Sequence, residues 1–109
     1  MLWKCSVCNM IVEGDTPPAI CPKCGSPAEK FVQLTKEEAD KIYAADRTND
    51  IHAELIKLAS KMVALAHEGI NINLDPPCVA AFTNAKNEGW IIKQRSKAEI
   101  ESHVKKAKW

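Results

Sequence analysis

Several hallmarks of enzymes and membrane proteins are missing from this sequence. Its four glycines form neither a phosphate-cradling loop nor a dinucleotide fingerprint, which sets aside the commonest nucleotide-binding architectures. No nucleophile–base pattern stands out, and nothing reads as a substrate site, so an enzyme is not expected. No apolar run approaches the ~20 residues that a membrane span needs. Lys4 and Cys5 break the apolar start before the core of a secretory leader can form, so none is expected. A formal net charge of +1 gives no general argument for nucleic-acid or membrane partners. Residues 86–109 do hold seven basic against three acidic side chains, but they lack the interleaved aromatics of a nucleic-acid platform and read as a solvated helix face.

Cysteine, by contrast, is plentiful and patterned. Four of the five stand as Cys5-x-x-Cys8 and Cys21-x-x-Cys24, with twelve residues between the pairs. Without a leader, the expected compartment is the reducing cytoplasm, where such pairs favour metal or redox chemistry over disulfides. Each pair can wrap a tight turn that aims two sulfurs at one point, and two such knuckles give a tetrahedral four-sulfur cage suited to zinc or a single iron. Thiolates ligate only when deprotonated, so metal binding and folding of this segment are coupled. Gly25 follows the second pair and Asn9 the first, the two residue types that best tolerate a positive φ. Residues 1 to about 34 offer only short apolar runs, Met10-Ile11-Val12 and Phe31-Val32. These predict small strands around a metal rather than an independent core, with Trp3, Ile11, Ile20 and Phe31 packed about the cage.

Trp3-Lys4-Cys5-x-x-Cys8, Glu13-Gly14, Pro18, Cys21-Pro22-x-Cys24 and Phe31 together resemble the short rubredoxin domain of rubrerythrins, over about the first 34 residues. The resemblance implies a non-haem Fe(Cys)4 centre cycling between ferric and ferrous forms, with Cys5, Cys8, Cys21 and Cys24 at the ligand positions. Asn9 departs from the glycine frequent there. Zinc ribbons share the paired cysteines and often the Cys-Pro-x-Cys-Gly ending, so a structural zinc remains the alternative. The di-iron bundle of rubrerythrins is not expected. Its Glu-x-x-His signature fails at His52, His67 and His103, which are preceded at the third position by Asn49, Ala64 and Ile100; the three histidines read as surface or boundary residues.

Residues 35–109 read as all-helical, a hairpin or three-helix bundle serving docking or oligomerisation. Thr35-Lys36-Glu37-Glu38 is a capping-box pattern that predicts a short helix to about Ala45. A stronger helix is predicted from about Asp50 to Glu68, closed by Gly69. Along it, Ile51, Leu55, Leu58, Met62 and Leu65 form one apolar stripe and Ile56, Ala59, Val63 and Ala66 a second beside it. Asp75-Pro76-Pro77 predicts an N-cap followed by proline at the first helical position, with Val79, Phe82 and Ala85 inward. That helix either ends at Gly89, with Ser96-Lys97-Ala98-Glu99 capping another to about Lys106, or runs through. Cys78, in the first turn, reads as a small buried hydrophobe, with a reactive thiol as the alternative. Trp109 reads as a tail residue or the anchor of a contact.

The expected function is electron transfer, as a small carrier or as a subunit docked on a larger oxidoreductase. A flavoprotein or iron–sulfur oxidoreductase is the expected partner class, and stripes wider than a hairpin covers suggest a homo-oligomer. The alternative is a zinc-stapled interaction module without redox activity.

Overall fold

The computed structural model describes residues 1–109. Three short strands come first: β1 (Leu2–Cys5), β2 (Ile11–Glu13) and β3 (Phe31–Gln33), the last preceded by a 3₁₀ turn at Ala28–Lys30. Two long helices follow, α1 (Lys36–Ile72) and α2 (Pro76–Lys105). The chain divides into two compact units, Met1–Ala44 and Ala45–Trp109. The first thus extends past the sheet to take in the opening turns of α1, where the Tyr43 hydroxyl donates to the Glu13 carboxylate.

In the first unit the sheet order is β2-β1-β3, antiparallel throughout. Trp3 lies opposite Val12 and Gln33, and Cys5 lies opposite Phe31. Successive strand residues point to opposite faces, so pairing Lys4 with Ile11 sends Met10 and Val12 to the side that Trp3 occupies. The interior on this side consists of Cys5, Cys21 and Phe31, with Trp3, Cys8, Met10 and Val12 packed against it, and Leu2 is buried as well. Two sequence expectations are corrected here. Met10 and Val12 take the place assigned to Ile11, and Ile20 is 64% exposed, held at the surface by its bridge to Pro27.

The expected capping box is present and reciprocal. Glu38 N–H donates to Thr35 Oγ1 at 3.2 Å, and Thr35 N–H donates to Glu38 Oε2 at 2.7 Å. What differs is the length of the helix it starts. The expected break between Ala45 and Asp50 is absent, because nothing from Asp46 to Asn49 is glycine or proline and Asn49 is buried on the helix's inner face. Gly69 is not the stop either. Asn73 is, with a φ of 53° and its N–H donating to Gly69 O at 3.4 Å. Asn73 thus supplies the left-handed closing residue of the helix.

Asp75 caps α2 as expected, its Oδ1 accepting from Cys78 N–H at 2.9 Å, with Pro76 opening the helix. The helix runs through Gly89, so the helical part is a hairpin and Ser96 caps nothing. Within the second unit the two helices meet along small residues. Ala45, Ala59, Ala66, Gly69, Gly89 and Ser96 are buried. A Cβ at Gly69 would lie 2.4 Å from Phe82 Cδ2, and one at Gly89 would lie 3.0 Å from Val63 Cγ2. The two glycines, costly in a helix interior, leave room for side chains of the opposite helix, Phe82 at Gly69 and Val63 at Gly89. At the open end of the hairpin the seam is polar: His52 Nδ1 is 3.1 Å from Ser96 Oγ, Asn49 Nδ2 donates to Lys108 O at 2.8 Å, and His103 Nδ1 pairs with Asn49 Oδ1. The histidines occupy surface or boundary positions, as expected: His67 is exposed, and His52 and His103 are half-buried at this seam.

Candidate metal centre

The two Cys-x-x-Cys segments fold into the same turn. In the first, Cys5 N–H donates to Met10 O at 2.8 Å and Asn9 N–H donates to Cys5 O at 2.9 Å. In the second, Cys21 N–H donates to Ser26 O at 2.8 Å and Gly25 N–H donates to Cys21 O at 2.9 Å. The residue after each pair takes the left-handed conformation, Asn9 at φ 66° and Gly25 at φ 76°. That conformation disfavours most side chains, and asparagine and glycine are the residues that tolerate it best.

Facing one another, the knuckles gather four sulfurs. Cys5 Sγ lies 3.7 Å from Cys24 Sγ, Cys8 Sγ lies 3.6 Å from Cys21 Sγ, and all four fall within 4.8 Å of one another. Four sulfurs each about 2.3 Å from a central ion would stand about 3.8 Å apart, so the spacing matches a tetrahedral thiolate cage. It is far from the ~2.05 Å of a disulfide, and all five cysteines are free. The donor set therefore fits a metal ion.

Electrostatics lead to the same place. The Cys24 thiol is drawn down to about 6, chiefly by the Ser26 hydroxyl and then by the Ser26 backbone N–H, against desolvation. Ser26 Oγ stands 3.2 Å from Cys24 Sγ. Cys21 is lowered by the backbone N–H groups of Cys24 and Lys23 and by the Cys8 sulfur, again against desolvation. Cys8 receives the Met10 backbone N–H, which pulls it down, but desolvation and the sulfurs of Cys21, Cys24 and Cys5 together push it up to about 11. The thiols are thus pulled in opposite directions, Cys21 and Cys24 toward ionisation and Cys8, by desolvation and its sulfur neighbours, away from it. A cation at the centre would relieve that conflict and let every sulfur bind as thiolate.

The cage is asymmetric in exposure. Cys5 and Cys21 are buried, Cys8 is half-buried and Cys24 is exposed. The Trp3 ring, its Nε1–H donating to Gly14 O at 3.1 Å, packs on the buried side with Phe31. Lys23 Nζ stands 3.5 Å from Cys8 O on the exposed side.

Residues 3–32 match the rubrerythrin, rubredoxin-like domain family. The match spans both knuckles and the first residues of β3, and with the four gathered sulfurs it makes this segment a rubredoxin-like domain with a four-cysteine metal-binding site. No curated protein and no solved structure matches the chain. Cys78 is not one of the four gathered cysteines and is half-buried at the start of α2. Sequence reasoning missed Ser26 and Met10, whose polar hydrogens reach Cys24 and Cys8. Both stand two residues after the last cysteine of a knuckle, and that repeated offset was the available signal.

Proposed function

We propose that the rubredoxin-like domain binds one iron ion through Cys5, Cys8, Cys21 and Cys24 and that the protein transfers electrons, as a small carrier or as a docked subunit of a larger oxidoreductase. The observation that carries this reading is the convergence of four sulfurs within 4.8 Å in a segment that matches the rubrerythrin rubredoxin-like family.

An iron ion in a four-thiolate site supplies one-electron chemistry between its ferric and ferrous states. The surrounding residues suit that role. Two stiff turns, each closed by two backbone hydrogen bonds, fix the sulfurs, so that little rearrangement accompanies a change of charge. Backbone N–H groups directed at Cys8, Cys21 and Cys24 stabilise negative charge on sulfur and tune the potential. Trp3, Phe31 and Val12 exclude water on the buried side, while exposed Cys24 and half-buried Cys8 leave an edge within reach of a partner. Four protein ligands fill a tetrahedral site and leave no position for a substrate, which favours a carrier over a catalyst. A flavoprotein or iron–sulfur oxidoreductase of the cytoplasm is the partner class this chemistry calls for. No helix is long and apolar enough to cross a membrane.

A second reading rests on the same donor set. Zinc binds four thiolates equally well, and the domain would then be a structural staple for an interaction module. Protein from its native source, with iron and zinc both quantified and its visible spectrum recorded before and after reduction, separates the two. The proposal expects one iron per chain and a colour that bleaches on reduction and returns on oxidation. A colourless protein with one zinc per chain would overturn it.

A further inference from the structure

α1 carries two apolar seams one residue apart, and the hairpin uses only one of them. Ile56, Ala59, Val63 and Ala66 are buried or half-buried against α2. Beside them Ile51, Leu55, Leu58, Met62 and Leu65 remain between 38% and 56% exposed. Their steps of four, three, four and three are those of heptad core positions, and a continuous exposed stripe of this kind marks an interaction surface. Along its open edge, at seven-residue intervals, stand Arg47, Glu54, Lys61 and Glu68, all exposed. None has an ion-pair partner within the chain, whose salt bridges are Lys36–Asp40 and Lys105–Glu101.

We propose that this stripe is the interface of a homodimer in which α1 of a second copy lies antiparallel, with Leu55 of each chain level with Leu58 of the other. The edge charges select both the occupant and the register. In an antiparallel pair, the same edge of each helix faces its counterpart. With Leu55 level with Leu58 and Ile51 level with Met62, Glu54 faces Lys61 of the second copy and Arg47 faces Glu68, and symmetry makes each pair twice. A shift of one heptad places Glu54 against Glu68 and Lys61 against Lys61. The opposite shift places Glu54 against Glu54 and Arg47 against Lys61. A parallel pair would set the charged edge against the side that carries His52, Ala59 and Ala66, which α2 already covers and which offers no countercharge. A second copy in this one register therefore satisfies the pattern, and like charges oppose the neighbouring registers.

The inference rests on α1 alone and not on which metal the first unit holds, so its failure and that of the electron-transfer reading are separate results. The test is sedimentation equilibrium of the metal-loaded 109-residue chain over a wide concentration range. A mass twice the 12.1 kDa of one chain is expected. Leu58→Glu, at an exposed position that leaves the monomer fold intact by circular dichroism, is expected to weaken association at least tenfold. Glu54→Lys and Lys61→Glu are each expected to weaken it by about tenfold, and the double swap to restore it, because the pair is then reversed rather than lost. A monomer at every concentration, a larger assembly, or a double swap no tighter than the single ones would overturn the proposal.

Discussion

The two units of this chain are held together by opposite means. In the first, the two most deeply buried side chains are Cys5 and Cys21, so the centre of the domain is its ligand set, and strands of three or four residues could not close around an empty middle. In the second, the buried positions are small, alanine, glycine, serine and asparagine, while large aliphatic side chains stand outside. One unit is stapled by chemistry at a point. The other is held along a line of small buried residues, with much of its large apolar surface left exposed.

Removing the metal should break this comparison most visibly. Thiolate sites of this size contribute on the order of 10 kcal/mol to folding, so a strong chelator is expected to unfold residues 1–34 and leave the helical signal of the hairpin in place. Near-ultraviolet circular dichroism, which sees Trp3 among the aromatics, followed beside the helical signal would show the two changing separately. Loss of both together would mean that the hairpin depends on the cage.

Gly69→Ala probes the line instead of the point. A Cβ there lies 2.4 Å from Cδ2 and 2.6 Å from Cγ of the Phe82 ring, so the ring or the helix must move. Overpacking of this kind costs about 1–3 kcal/mol, more than the ~1 kcal/mol of helix propensity gained, and thermal unfolding should shift down. Gly89→Ala meets Val63 Cγ2 at 3.0 Å, where a small adjustment suffices. Gain and loss nearly cancel there, and the melting temperature should change little. A larger loss at Gly89 than at Gly69 would contradict the packing described.

Most of the metal centre and the starts of both helices were legible in the sequence, because ligand spacing, the left-handed residues Asn9 and Gly25, and the capping residues Thr35 and Asp75 act locally. What the sequence did not show depended on partners distant along the chain. Ile11 and Met10 are both apolar, and only the pairing with β1 decides which of them faces the cage. Gly69 and Gly89 resemble helix stops to any local rule, and only the opposite helix reveals them as points of close approach. The two stripes of α1 were both visible in the sequence, but which of them the hairpin uses was settled by the small residues at its seam.

Smaller effects sharpen the contrast at the edges of each unit. Asp75→Ala removes the acceptor for Cys78 N–H and is expected to cost the hairpin about 1 kcal/mol, read by denaturant unfolding. Thr35→Ala should cost α1 a similar amount where it leaves the sheet. Tyr43 gives a pH signature confined to the first unit. Its hydroxyl donates to the Glu13 carboxylate, which, with desolvation and the negative charge of Glu13, raises its ionisation above the ordinary value. That contribution is fully present below about pH 10 and is lost as pH rises through the raised value. Ultraviolet titration should find this single tyrosine ionising late, and Glu13→Gln should bring it back toward normal.

X-ray absorption at the metal edge of natively produced protein tests the central claim most directly. The account expects an iron edge and one shell of four sulfurs at about 2.3 Å. A zinc edge with the same shell would contradict the electron-transfer reading, and a shell containing nitrogen or oxygen, or fewer than four sulfurs, would contradict the cage itself.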